Sequence, residues 1–120
     1  MNESWEIAMR RITETEGVLA CGLRFSDSQT MSFSSHADLE NGKLDSVWNH
    51  MAETAKAFNL RRFPVSRLRW KFGKCHLGWY VRDDGLAMGI LVEPSVQHAL
   101  SALEAWFRGV SEQGDAIPDA

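Results

Sequence analysis

Between Val65 and Val92 apolar residues alternate with polar or small ones, and turn residues break the pattern twice, at Gly73-Lys74 and at Asp83-Asp84-Gly85. A period of two over this length means strands, and two short interruptions mean a three-stranded antiparallel meander. Leu68, Trp70 and Phe72 oppose Arg67, Arg69 and Lys71 along the first of these strands, Val65 to Phe72. A two-residue turn at Gly73-Lys74 pairs Phe72 with Cys75, Trp70 with Leu77 and Leu68 with Trp79. A second two-residue turn at Asp84-Gly85 pairs Val81 with Met88, Trp79 with Ile90 and Leu77 with Val92. Together the two turns put the bulky apolar side chains on one face, which a one-residue slip would scramble. The other face then holds Arg67, Arg69, Lys71, His76, Gly78, Tyr80, Arg82, Ala87, Gly89 and Leu91. Gly78 and Gly89, with Gly22 and Ala20, suggest a shallow lane where a helix approaches closely.

The remaining elements follow from spacing. Trp5, Ala8, Met9 and Ile12 form one stripe of a helix over about 3–15, with Gly17 as its stop. Val18 to Phe25 is apolar on both faces, as a covered central strand is. Ser26 to Gln29 turns the chain into a short strand from Thr30 to Ser34, and Asn41-Gly42 is the strongest break in the loop that follows. Leu44, Trp48, Met51, Ala55 and Phe58 then recur at 4, 3, 4 and 3, the seam of a helix over about 43–59. Val47, Ala52 and Ala57 widen that seam beyond what one sheet contact needs. Glu93-Pro94-Ser95 opens a last helix with Val96, Ala99, Leu100, Leu103 and Trp106 or Phe107 inward. The expected order is α-β-β-α-β-β-β-α, an α+β fold with a five-stranded antiparallel sheet between helices. Residues 1–110 make one domain and 111–120 a flexible acidic tail.

Composition narrows the functional classes. With 44% apolar and 24% charged residues the chain has the makings of a folded core. A net charge of −3 argues against protein-wide attraction to nucleic acid, though it permits a local basic patch. The start MNESWEIAMRR lacks the form of a signal peptide, and no apolar run reaches the ~20 residues of a membrane span. A cytoplasmic location is the expectation. Cys21 and Cys75 both fall in apolar strand patterns, where reduced core thiols are expected.

No pattern announces chemistry. His36, His50, His76 and His98 are scattered, and Cys75 and His76 point to opposite faces of one strand, so no metal is expected. No phosphate-binding glycine loop or activated serine is present, and turn chemistry accounts for Asp83-Asp84. No catalytic residue or cofactor is assigned, and the chain is read as not an enzyme. Two surfaces are left. The strip Arg67, Arg69, Lys71 either guards an edge strand or meets an acidic partner surface, with nucleic-acid phosphates disfavoured by the acidic total, and Arg67 could stack on Tyr80. The wide second helix is suited to self-association, with Trp48 and Met51 as anchors.

The chain resembles the Roadblock family of dynein-light-chain-type domains over about residues 3–110. The resemblance rests on the element order, on Glu16-Gly17-Val18-Leu19-Ala20-Cys21-Gly22-Leu23, similar to the opening of that family's first strand, and on Leu77 to Pro94 with its Asp83-Asp84-Gly85 hairpin. Glu16 stands where that family often has proline, and Ser26 to Gln29 lacks its usual glycine, so the resemblance is to a divergent member, of the type that also occurs in bacteria. The resemblance implies a three-layer α/β/α sandwich of profilin-like kind that dimerises through the second helix and third strand, joining two sheets into one. It also implies a non-catalytic adaptor or regulatory role, with Ras-like small GTPases as partners. Carried onto this chain, the interface comprises Leu44, Val47, Trp48, Met51, Ala55 and Phe58, with Arg67 and Arg69 on the pairing strand. Two alternatives stay open: a ligand-sensing domain of profilin or PAS type, and a protein-binding module like a secretion chaperone.

Overall fold

A computed structural model describes residues 3–35, 40–60, 66–72 and 74–109. The helix α1 (Glu3–Thr13) leads into β1 (Val18–Arg24) and β2 (Thr30–Ser34). The long helix α2 (Asn41–Leu60) is followed by β3 (Arg67–Phe72), β4 (Cys75–Val81) and β5 (Ala87–Val92). A single 3-10 turn, Pro94–Val96, precedes α3 (Ala99–Gly109). The five strands form one antiparallel sheet in the order β2-β1-β5-β4-β3. The expected element order and sheet are therefore present. No helix among the described residues is long and apolar enough to cross a membrane.

Boundaries differ in instructive ways. Asn41-Gly42 is the first turn of α2 rather than a break, because a helix start tolerates Asn and Gly where a helix interior does not. The last helix begins later than Pro94, and the chain makes a 3-10 turn first. Val65, Gly73 and the acidic tail lie outside the described residues.

The sheet divides the core into two clusters. On one side α1 and α3 bury Trp5, Met9, Ile12, Leu100, Trp106 and Phe107 against Cys21, Leu23, Tyr80, Met88, Ile90 and Val92. On the other, α2 buries Leu44, Trp48 and Met51 against Ala20, Leu77, Trp79 and Ala87. Val18 shares the Cys21 side because the β1–β5 register slips between Val18 and Ala20.

The β3–β4 register is the expected one, with Phe72 opposite Cys75 and Leu68 opposite Trp79. The β4–β5 register is not. Val81 faces Ala87, Tyr80 faces Met88 and Trp79 faces Gly89, one residue away from the expected pairing. The cause is a three-residue loop, Asp83-Asp84-Gly85, in place of a two-residue one. The Arg82 N–H donates to Leu86 O (2.9 Å), the Gly85 N–H to Arg82 O (3.1 Å), and Gly85 takes φ +87. This is a type I turn closed by a left-handed residue. The slip sends Leu77 and Trp79 toward α2 and leaves Met88, Ile90 and Val92 beneath α1 and α3, so no single face holds all the bulky residues. Gly78 lies with Tyr80 rather than in the α2 lane; a Cβ there would run into the Tyr80 phenol ring.

The first hairpin repeats the same turn. The Phe25 N–H donates to Gln29 O, the Ser28 N–H to Phe25 O, and Ser28 sits at φ 73. In both loops an aspartate accepts the backbone N–H two residues on, Asp27 from Gln29 and Asp84 from Leu86, each at 3.1 Å.

Candidate docking surface

The helix α2 positions this surface through what it must bury. Leu44, Trp48, Met51 and Ala55 are at most 4% exposed, so the core takes four of the six α2 residues expected at an interface. Trp48 lies across Gly22 and Gly89, which are paired with each other across β1 and β5. A Cβ on either glycine would overlap the indole. The Trp48 ring stacks on Trp79 at 6.0 Å and 16°, and its Nε1–H donates to Ser32 Oγ (2.9 Å), which in turn donates to Asp45. A charge placed at Trp48 or Met51 would be buried and unpaired, a cost of several kcal/mol to folding. Those positions anchor the fold.

The flanks of α2 differ. Asp45 reaches Ser32 of β2, and Asn49 accepts from Arg24 Nε of β1 (3.0 Å), so that flank faces the β2 edge. At 100° per residue Val47 and Phe58 fall on the opposite flank, the one toward β4 and β3. Val47 is 37% exposed and Phe58 43%. Beyond them on the same side of the sheet stand Leu68, half-buried against the α2 cluster, and Trp70, 40% exposed. One helix cannot cover five strands, and it sits over the β2 half. The β3 half of this face is an apolar shelf.

On the other side of β3 the basic residues meet α3. Arg67 Nε contacts both Glu104 oxygens (2.8 and 2.9 Å), Arg108 Nε donates to Glu104 Oε2 (2.8 Å), and Arg69 Nη2 donates to Ser101 Oγ (3.2 Å). Arg108 also donates to Val81 O and Ser66 O (3.1 and 2.8 Å). The Glu104 side chain is 6% exposed. Burial pushes its pKa up, but hydrogen bonds from Arg108 and Arg67 outweigh that and hold it below the ordinary carboxylate value. Arg67 therefore clasps α3 instead of stacking on Tyr80. Burial raises the Tyr80 pKa, and the nearby Arg69 charge opposes the rise. Between β3 and α3 an open groove of about 540 Å³ is lined by Arg67, Arg69, Ser101, Glu104, Ala105 and Arg108.

Glu104 is the buried charge that pattern reading passed over, although its signal was present. It lies on the stripe of Leu100, Leu103 and Phe107, four residues after Leu100, and an acid in a buried stripe requires cations nearby.

The other candidate groups are accounted for locally. Cys21 is buried, its Sγ 3.0 Å from Thr13 Oγ1 and donating to Met9 O (3.3 Å). Burial drives its pKa to about 12, only partly offset by the Thr13 hydrogen bond, so the thiol is unreactive in the fold. Cys75 is only half-buried, against the expectation of a core residue. Asp84 accepts from Arg82 (2.6 Å) and from the Leu86 N–H. Among the described residues no three His, Cys, Asp or Glu side chains converge; His36 lies outside them. No protein-family model matches this chain, and no curated protein matches it.

Proposed function

We propose that this chain is a non-catalytic docking domain that associates with a second copy of itself across the shelf beside α2. The observation that carries the reading is the placement of Val47, Phe58 and Trp70, each 37–43% exposed, on one side of the sheet with Leu68 between them. An apolar surface rimmed by polar residues is what a partner covers. Leu44, Trp48, Met51 and Ala55 support the shelf from beneath, and Val47 and Phe58 are the α2 residues that touch the partner. In this reading the dimer serves as an adaptor. A Ras-like small GTPase is the regulatory partner that the family resemblance implies, and the shelf itself supports protein docking in general.

Light scattering over a concentration series tests the proposal. The native chain should show twice its monomer mass, and Val47→Glu with Phe58→Glu should return it to a monomer with an unchanged circular-dichroism spectrum. A native chain that stays monomeric at high concentration refutes self-association; an unchanged mass in the double variant moves the interface elsewhere.

A further inference from the structure

We infer that the free edge of β3 receives an extended segment of a partner protein in which acidic residues alternate with apolar ones. The order β2-β1-β5-β4-β3 leaves β3 with one paired side and one open side among the described residues. Which backbone groups point outward follows from a single hydrogen bond, Val81 N–H to Ser66 O at 2.9 Å. By the β3–β4 register Ser66 lies opposite Val81, so this is a hydrogen-bonded pair. Such pairs alternate along an antiparallel ladder, so Leu68 and Trp70 also bond inward to β4. Arg67, Arg69 and Lys71 must direct their N–H and C=O groups to the open edge.

That geometry specifies the incoming chain. Residues bonded to the backbone of Arg67, Arg69 and Lys71 place their side chains on the same face as those cations, within cross-strand reach. Arg67 donates to Glu104 through Nε alone, and its side chain is 58% exposed, leaving both Nη groups for a carboxylate. Arg69 and Lys71 are exposed as well. The partner's intervening residues fall on the opposite face beside Leu68 and Trp70, in the closer non-hydrogen-bonded pairs where apolar side chains pack best. The match is an acid–apolar–acid–apolar strand, bound by strand addition.

A second copy fits this edge poorly. In the register that pairs the most of β3 with itself about a two-fold axis, Arg67 faces Lys71 and Arg69 faces its own copy, cation against cation. A face-on dimer over the shelf leaves the edge open, so the inference stands apart from the self-association reading.

The probe is a short fluorescent peptide alternating glutamate and valine, compared with a shuffled peptide of the same composition and with a lysine–valine version. Anisotropy should show the alternating acidic peptide binding roughly tenfold more tightly than the shuffled one. Hydrogen exchange should show new protection of the Arg67, Arg69 and Lys71 amides on binding. Arg69→Glu with Lys71→Glu should reverse the preference toward the lysine peptide, with Arg67 spared because it clasps Glu104. If that variant does not fold, Lys71→Glu alone should weaken glutamate binding. No binding, equal binding of the shuffled peptide, or an unchanged preference after charge reversal overturns the inference. So does amide protection that exists without peptide and grows with protein concentration, which would assign the edge to a second copy. A monomer that still binds the peptide removes the dimer and keeps the strand.

Discussion

Gly22 and Gly89 carry a constraint that no side chain could meet. Their pairing across β1 and β5 forms a floor on which Trp48 lies, and an added methyl on either would need the indole to move. Strand propensity alone favours alanine over glycine, so the two effects have opposite signs. Overpacking should win: Gly89→Ala is expected to cost about 1–3 kcal/mol, read as a lower urea midpoint with an unchanged slope. A neutral or stabilised variant would mean that Trp48 is not seated there. The lane of small residues was legible in part: Gly22 and Gly89 lie under Trp48, and Ala20 and Ala87 pack in the same cluster. Gly78 was misplaced for a physical reason. Faces alternate from whichever turn sets the register, and with Gly78 on the other side a glycine serves Tyr80 instead of Trp48.

Among the elements, the two hairpin loops make the same turn with different residues in the left-handed position, Ser28 in one and Gly85 in the other. Only glycine adopts that conformation without steric cost. Gly85→Ala should therefore cost about 1 kcal/mol, while Ser28→Gly should be stabilising by a smaller amount, because it also removes the Arg24–Ser28 hydrogen bond. Thermal unfolding of the two variants checks the opposite signs; a shift in the same direction for both would contradict the shared turn. This loop also marks where pattern reading stopped. Asp-Gly suits both the two-residue turn and the last two positions of a three-residue one, and local preference cannot separate them. What decides is that Asp84 caps the Leu86 N–H while Leu86 and Met88 join the core beneath α1 and α3. Helix α2 shows the complementary case. Its seam was plain in the spacing, but the spacing could not say that the sheet takes Trp48 and Met51 and leaves Val47 and Phe58 outside.

For the whole molecule, Glu104 ties α3 to β3 through Arg67, and Arg108 ties the same helix to the Ser66 and Val81 carbonyls. Because the folded-state pKa of Glu104 lies below its unfolded value, its contribution is present above the ordinary glutamate pKa and is lost as pH falls through the folded value. Glu104→Gln should cost about 2 kcal/mol at neutral pH, and the gap to the native chain should begin to narrow below about pH 4. Urea titrations at both pH values measure this; a gap that widens in acid would reverse the assignment. The clasp leaves a chain of net charge −3 with a cationic edge on β3, an asymmetry that total charge conceals.

The distribution of indoles has an optical consequence. Trp5, Trp48, Trp79 and Trp106 are at most 9% exposed, while Trp70 on β3 is 40% exposed. The red-edge emission, and the part that aqueous iodide can quench, should come from the indole on β3. The molecule carries its own dye where a partner would arrive.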